Sequence, residues 1–211
     1  MGQKIHPIGF RLSTSNNYQS FWYSKIRKKY IKYLKEDNYI RQSIHNQIKK
    51  RIISHITISR IYKKSKKIYI YIKTNDIRFF STKIREKIKK DLTIILSSEY
   101  EIIDFKIFKI QKVYLDSGLI VNLIADQIEK RIHFKRIMNS MLQKIYKEKD
   151  IIGVKILLAG RLNGSEIART EWVLRGSVPL QTIEKNIQYS TAEANTIFGI
   201  IGIKVWISKK D

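Results

Sequence analysis

The sequence contains no cysteine, only two prolines and only nine glycines in 211 residues. Without cysteine the chain has no disulfide framework, no thiolate zinc site and no cysteine nucleophile. It also lacks an uncharged apolar run of about 18 residues, the length of a membrane-spanning helix. Acidic residues are scarce, because 18 Asp and Glu stand against 42 Lys and Arg, a net charge of +24. Such a charge opposes compaction and indicates a polyanionic partner.

Catalytic motifs are absent as well. None of the four histidines belongs to an H-E-x-x-H motif, and there is neither a G-K-[ST] phosphate loop nor a G-x-G-x-x-G. We interpret Glu166 and Glu171 as surface ion-pair partners of Arg169 rather than as a catalytic pair. The G-x-x-G at 199–202 falls in a strand pattern, where close backbone approach explains glycine. We therefore predict that the protein is not an enzyme and has neither a metal nor a cofactor.

Isoleucine and lysine dominate what is present, with 41 Ile and 30 Lys. Both belong to AT-rich codons, so drift in an AT-rich genome explains the bias better than selection does, and a single lysine carries little weight. Apolar residues make up 43% of the chain and aromatic residues 11%. These fractions are too high for a disordered basic tail and predict a folded protein.

Charge and glycine divide the chain unequally. Residues 1–115 hold 27 basic and 8 acidic side chains, whereas the remainder holds 15 and 10. No glycine occurs between Gly9 and Gly118, and Asp116-Ser117-Gly118 is a turn signal. We predict three parts: an extended basic N-terminal arm without helix at 1–16, a first domain at 17–114 and a second domain at 115–211.

Hydrophobic periodicity predicts an α+β protein. The predicted helices cover 24–50, 82–97, 118–133 and 135–148, and the predicted strands cover 55–62, 67–73, 101–113, 153–159, 171–180, 186–192 and 197–208. In the second domain, two amphipathic helices followed by four strands indicate helices packed on a mostly antiparallel sheet.

Nucleic-acid binding is the function that the charge pattern favours. Basic runs occupy 25–35, 60–67 and 83–90, and every phosphate that Lys or Arg neutralises releases counterions. On the helix at 135–148 the apolar stripe leaves a basic arc, with Lys130 and Arg131 one turn upstream. Such a face can hold a single-stranded backbone. The alternative, an ordinary solvated surface, remains open for each run taken alone.

Three segments carry a family resemblance: MGQKIHPIGFRL at 1–12, GVKILLAGRLNGSEIARTEW at 153–172 and VPLQTIEKNIQYSTAEANTIFGIIGIKVWI at 178–207. They resemble the universal small-subunit ribosomal protein three of bacterial and organelle type. The resemblance covers nearly the whole chain, is loose in 40–113, and is strongest to plastid-encoded members.

The resemblance implies an N-terminal type II KH domain and a C-terminal α+β domain special to the family. It implies a place in the head of the small subunit, in contact with small-subunit rRNA, with the ribosomal proteins numbered ten and fourteen, and with mRNA at the entry channel that the family lines. It also implies a part in unwinding structured mRNA, and no membrane or small-molecule substrate.

By position, the family's paired basic residues of the entry channel fall on Lys135 and Arg136, and another falls on Lys147. A third lysine of the family falls on Asn139, so this part of the charge is missing. The full predicted mRNA-entry set is Lys130, Arg131, Lys135, Arg136 and Lys147. The predicted rRNA-binding set is Lys4, Arg11, Lys25, Arg27, Lys28, Lys29, Lys32, Arg161, Arg169 and Arg175.

Two departures from the family pattern matter. KH domains grip single strands through a G-x-x-G loop, but no glycine lies between Thr74 and Lys90. We infer that the KH fold persists as a scaffold without its usual grip. In addition, the family often has a basic residue directly before Val-Pro-Leu, where this chain has Ser177.

Two other functions compete with a ribosomal role. A free KH-type RNA-binding regulator would need the missing loop, and a nuclease or helicase would need a metal–carboxylate cluster or a nucleotide loop. The N-terminal residues match neither a signal peptide nor a transit peptide. We expect the protein to work where it is made, in the small ribosomal subunit of a plastid, either a chloroplast or a relic plastid.

Overall fold

A computed structural model describes residues 4–48, 50–62, 66–96 and 102–210 of the chain. The chain forms two compact units. The N-terminal unit comprises residues 18–111, and the C-terminal unit comprises 112–211 together with 1–17. Both combine helices with a four-stranded sheet, which confirms the α+β prediction. Among the described residues, no helix is both long and apolar enough to cross a membrane.

The N-terminal unit follows the predicted order of helix, strand, strand, helix and strand, preceded by one very short strand. Its elements are β1 (Ser20–Phe21), α2 (Arg27–Gln47), β2 (Ile53–Tyr62), β3 (Lys66–Thr74), α3 (Thr82–Leu96) and β4 (Ile102–Lys109), with short 3-10 turns at Lys50–Ile52 and Ile77–Phe79. The sheet order is β1-β2-β3-β4. β2 and β3 pair antiparallel, whereas β4 joins β3 parallel. This arrangement is compatible with the predicted type II KH domain.

Isoleucine builds the core of this unit. Alternating residues of β2 and β3, such as Ile58 and its cross-strand partner Ile70, are fully buried. Branched side chains fit a pleated surface well, so the period-two pattern reports the buried face directly. Ile40 and Ile44 of α2 and Ile88 of α3 close the core from the helix side.

The C-terminal unit carries the second predicted domain. Its elements are α1 (Pro7–Phe10), α4 (Ser117–Glu129), α5 (Phe134–Tyr146), β5 (Ile151–Gly160), β6 (Arg169–Gly176), β7 (Ile187–Thr196) and β8 (Gly199–Lys209), with 3-10 turns at Val113–Leu115 and Leu162–Gly164. All strand pairs are antiparallel in the order β6-β5-β8-β7. α4 packs over β7 and β8, and α5 packs over β5. β6 is therefore an edge strand beside α5.

Gly176 and Gly199 of this unit both have positive φ angles, but for different reasons. Gly176 ends β6 with φ +76°, and a Cβ there would lie 2.2 Å from the carbonyl oxygen of Ile152. Gly199 opens β8 with φ +120° and has open space around it. The interpretation of Gly199 as a site of close backbone approach is therefore wrong, because the turn before β8 requires its φ angle and not its small size.

The N-terminal arm is not fully extended. Pro7–Phe10 forms one helical turn, because the proline has a helical φ angle and the His6 side chain accepts a hydrogen bond from the Gly9 N–H at 3.3 Å. The His6 ring also packs edge-on against Tyr189 of β7, with ring centroids 4.9 Å apart. The expectation of an arm without helix is wrong at these four residues.

Candidate nucleic-acid interface

α5 is the centre of the predicted mRNA-entry set. Its apolar residues recur at helical spacing and bury one face against the sheet, and the His133 ring caps the helix by accepting from the Lys135 N–H at 3.3 Å. The opposite face carries exposed Lys135 and Arg136 in the first turn. Burial of the apolar face thus fixes these two cations toward solvent.

The position of Lys135 and Arg136 is electrostatically unfavourable for the helix. The N-terminal end of a helix dipole is positive and disfavours each nearby cation by about 0.3–1 kcal/mol. No acidic residue occupies the first turn of α5 to offset them. An anion at this end of the helix would interact favourably with both the helix dipole and the two exposed cations.

The turn between α4 and α5 adds two more cations. Lys130 is the C-cap of α4, and Arg131 follows with φ +61°, a left-handed conformation that reverses the chain. Hydrogen bonds from the Arg131 N–H to Ile128 O at 2.9 Å and from the Ile132 N–H to Gln127 O at 3.2 Å hold this turn. All four cations of this region are exposed: Lys130, Arg131, Lys135 and Arg136. The structure therefore brings four residues of the predicted mRNA-entry set together at the corner between α4 and α5.

Lys147 does not join that corner. It is the exposed C-cap of α5, about 18 Å along the helix axis from Lys135 at 1.5 Å per residue. Asn139 is exposed on the helix between them. The predicted set is therefore a strong cluster at one end of α5 with a single cation at the other.

Two residues of the predicted rRNA-binding set lie beside α5. The Arg175 guanidinium carbon is 4.1 Å from the centroid of the Tyr146 ring, and that of Arg169 is 5.8 Å from the Phe134 ring. Both arginines are exposed on β6. The structure thus brings them to the helix that carries the mRNA-entry set.

The basic face of α2 lies in the N-terminal unit. Lys25 precedes the helix, and the exposed cations at or before its first two turns are Lys25, Arg27, Lys28, Lys29 and Lys32. Exposed Tyr30, Ile31 and Leu34 are interleaved with them. Cations with interleaved aromatic surface are typical of single-strand or loop recognition in RNA.

Arg11 corrects the predicted rRNA-binding set. Its side chain is fully buried, and its nitrogens donate to the carbonyl oxygens of Pro7, Pro179, Leu180, Thr182 and Lys185 at 2.7 to 3.2 Å. Burial lowers the pKa of the Arg11 guanidinium. The residue holds the loop before β7 against the N-terminal arm and presents no charge to a ligand, so this part of the prediction is wrong. Arg161 is half-buried, with Nε donating to Ser165 O at 2.8 Å, whereas Lys4 is exposed.

Within the basic run at 60–67, Arg60 is not accessible to a ligand. Arg60 is buried in the N-terminal unit, where it pairs with Glu36 and Asp37, and the Trp22 indole N–H donates to Asp37 at 2.7 Å. Residues 63–65 lie outside the described residues. The runs at 25–35 and 83–90 keep exposed cations along helix faces.

Two sets of contacts near the predicted residues were not predicted from the sequence. Tyr146 stacks with Arg175, and the Lys155 ammonium lies 5.1 Å and 5.4 Å from the rings of Trp172 and Trp206. Strand alternation places Lys155 and Trp206 on the solvent face of the sheet and could have indicated their proximity. No pattern within α5 alone could have indicated that Tyr146 faces Arg175.

Comparison with known proteins identifies the family. Residues 124–207 match the family model described as ribosomal protein S3, C-terminal domain. The small ribosomal subunit protein uS3c of Psilotum nudum is 39% identical over the full length of both chains. The uS3c of Guillardia theta is 38% identical over 98% of this chain and 94% of its own. The uS3 of the bacterium Microcystis aeruginosa is 39% identical over 99% and 85%. The chain therefore belongs to the uS3 family of small ribosomal subunit proteins, as predicted.

Proposed function

We propose that this protein is a structural, non-enzymatic constituent of the plastid small ribosomal subunit and that the corner between α4 and α5 lines the mRNA entry channel. One observation carries the channel assignment. Exposed Lys135 and Arg136 sit at a helix end that disfavours cations and has no acidic residue in its first turn. Lys130 and Arg131 extend the same positive corner. A polyanion that passes the corner offsets the electrostatic cost of placing these cations at the helix N-terminus.

The N-terminal unit supplies a second, separate contact. The basic face of α2 binds small-subunit rRNA in the head of the particle, and the neighbouring proteins are those numbered ten and fourteen. The unit acts as a scaffold of KH type in which residues 75–81 have lost the single-strand grip. In support, Asp76 caps the Ile77–Phe79 turn, its carboxylate pairs with Arg78, and Phe80 is buried in the core. These contacts stabilise the segment without any free glycine-rich loop.

Charge reversal at the corner tests the channel role. Ribosomes whose small subunits contain the Lys135→Glu/Arg136→Glu chain should translate an unstructured message normally and slow on a message with a hairpin near its start. The matched control is Lys204→Glu/Lys210→Glu, which reverses two exposed lysines of the same unit outside the corner. Equal slowing on both messages, or the same defect in the control, would contradict the proposal.

Sedimentation separates the ribosomal role from a free RNA-binding regulator. At moderate salt the full chain should travel with small subunits. A mostly free pool that carries a defined set of messages would support the regulator instead. Glycines placed within 76–81 at positions other than Phe80 should not give the chain tight single-strand binding, because the buried Phe80 side chain still anchors the segment in the core.

A further inference from the structure

The edge strand β6 runs alongside α5. Arg169, at the start of β6, lies over Phe134 at the start of α5, and Arg175 lies over Tyr146 at its end. Strand and helix therefore point in the same direction. Their matched parts are about 18–20 Å long, from 1.5 Å per helical residue and 3.3 Å per strand residue. The sheet order leaves the outer edge of β6 without a neighbouring strand among the described residues.

The side chains that face each other across this junction follow from periodicity. Val173 packs against the core, so Arg169, Glu171 and Arg175 share the helix side of β6. On α5, at 100° per residue, Lys135 and Asn139 lie on the same side as Tyr146, the side that faces β6. We call this surface the α5–β6 strip; it consists of Lys135, Asn139, Tyr146, Arg169, Glu171 and Arg175.

The strip combines positive charge with an aromatic platform. It carries three cations and one carboxylate, and that carboxylate, on Glu171, already lies 3.6 Å from Arg169 Nε. The Tyr146 ring is 44% exposed and is covered by the Arg175 guanidinium. RNA bases stack both on aromatic rings and on guanidinium planes, while phosphates pair with the remaining N–H groups.

We propose that single-stranded RNA lies along the α5–β6 strip, with its phosphates held by Lys135 on one side and by Arg169 and Arg175 on the other, and with a base stacked on the Arg175–Tyr146 pair. This inference rests on the proposed channel role and extends it from a helix corner to a two-sided path. It moves Arg169 and Arg175 from the rRNA contacts to the path of the mRNA. Charge complementarity favours RNA over a protein strand, because a partner on this edge must be negative along its length.

Photocrosslinking in assembled particles tests the strip. Small subunits that contain the full chain are programmed with mRNA carrying 4-thiouridine downstream of the decoding site, and crosslinked peptides are mapped. Crosslinks should fall on 169–175 as well as on α5. Arg169→Gln/Arg175→Gln should lower the mRNA crosslinking yield about threefold or more, the effect of losing two exposed charge contacts. The control Lys204→Gln/Lys210→Gln should leave the yield unchanged.

Tyr146 provides an independent check within the same assay. Tyr146→Phe keeps the ring and should keep the crosslinks at the β6 end, whereas Tyr146→Ala should lose them. Equal loss in both variants would overturn base stacking as the role of the ring. All variant chains are compared at equal incorporation into small subunits, so a folding defect is visible as failure to co-sediment.

The outcomes distinguish this inference from the proposed function. If Lys135→Glu/Arg136→Glu lowers mRNA crosslinking but the paired arginine variant does not, the two-sided path is wrong and the helix corner stands. If neither variant changes it, both proposals fail. Crosslinks from rRNA or from another protein to 169–175, in place of mRNA, would also overturn the strip.

Discussion

The two units of the molecule share an architecture but differ in what stabilises them. In the described core of the N-terminal unit, ten of the twelve buried side chains are isoleucine. In that of the C-terminal unit, only ten of twenty-one are isoleucine, beside Phe134, Met138 and Met141 and several smaller side chains. Cores tolerate hydrophobic exchange when volume and pattern persist. The core of the first unit is therefore built almost entirely from one side-chain type, whereas the core of the second combines side chains of several volumes.

Each unit also buries one arginine, but with opposite chemistry. Arg60 of the N-terminal unit neutralises two carboxylates, Glu36 and Asp37, and stacks on the Tyr33 ring at 4.8 Å. Arg11 of the C-terminal unit meets five neutral carbonyl oxygens. Removing Arg60 takes a buried positive charge from two carboxylates, whereas removing Arg11 takes hydrogen-bond donors from neutral carbonyl groups. Net charge alone therefore does not show which cations a ligand can reach.

The largest expected effect is that of Arg60→Met. Glu36 and Asp37 would lose the buried guanidinium that donates to both of them, and breaking such a network costs about 3–5 kcal/mol. Hydrogen exchange on the full chain should show lost protection in the N-terminal unit alone. Adding Glu36→Gln and Asp37→Asn to the variant should restore much of it. Equal loss of exchange protection in both units would contradict the claim that Arg60 stabilises the N-terminal unit alone.

Gly176→Ala should have the next largest effect, in the C-terminal unit alone. The methyl group would lie 2.2 Å from Ile152 O at a φ angle of +76°, so the end of the β5–β6 ladder must shift. We expect a loss of more than about 2 kcal/mol in the free energy of unfolding. Gly202→Ala is the control, because its Cβ meets the nearest atom only at 3.8 Å. Similar unfolding midpoints for the two variants would contradict the clash.

Arg11→Ala should lower the free energy of unfolding by somewhat less, about 2 kcal/mol, because water can hydrogen-bond to the carbonyl groups that lose the guanidinium. The loop at 178–186 should become sensitive to limited proteolysis while the N-terminal unit stays protected. Arg11→Lys should not rescue the loop, since an ammonium cannot present the planar fork of donors that spans these carbonyls. Full rescue by lysine would reduce the role of Arg11 to simple charge.

The smallest effects belong to surface ion pairs, and here the two units should behave alike. The hydrogen bond from Arg78 lowers the pKa of the Asp76 carboxyl, and that from Lys112 lowers the pKa of Asp150. A lowered folded-state pKa adds stability above the ordinary carboxyl pKa of about 3.9, and that stability is lost as pH falls through the folded pKa. Each of the variants Asp76→Asn and Asp150→Asn should make the free energy of unfolding fall slightly less steeply as the pH drops below the ordinary carboxyl pKa. A marked loss at pH 7 would show that these exposed pairs matter more than the buried arginines.

The sequence predicted the long elements well, because isoleucine periodicity is strong and each sheet has one buried face. It missed β1 (Ser20–Phe21), since two residues are too short for any period. It also treated Arg11 and Arg60 as available charge. Arg11 meets partners about 170 positions away, and Arg60 meets carboxylates on a different element, so neither contact leaves a local pattern. The exposed corner at Lys135 and Arg136 was predictable because one amphipathic helix defines its own solvent face.

The Arg11 contacts also affect the order in which the two units can fold during synthesis. The N-terminal unit is continuous in sequence, so it can fold once residue 111 has left the ribosome that makes it. The C-terminal unit joins the segment around Arg11 to a loop that ends at Lys185, and this contact forms only after Lys185 has also left the ribosome. The segment around Arg11 therefore lacks these partners until the residues up to Lys185 have been translated. A nascent chain that stops before residue 178 would hold a complete N-terminal unit and a C-terminal unit without the contacts between Arg11 and the loop.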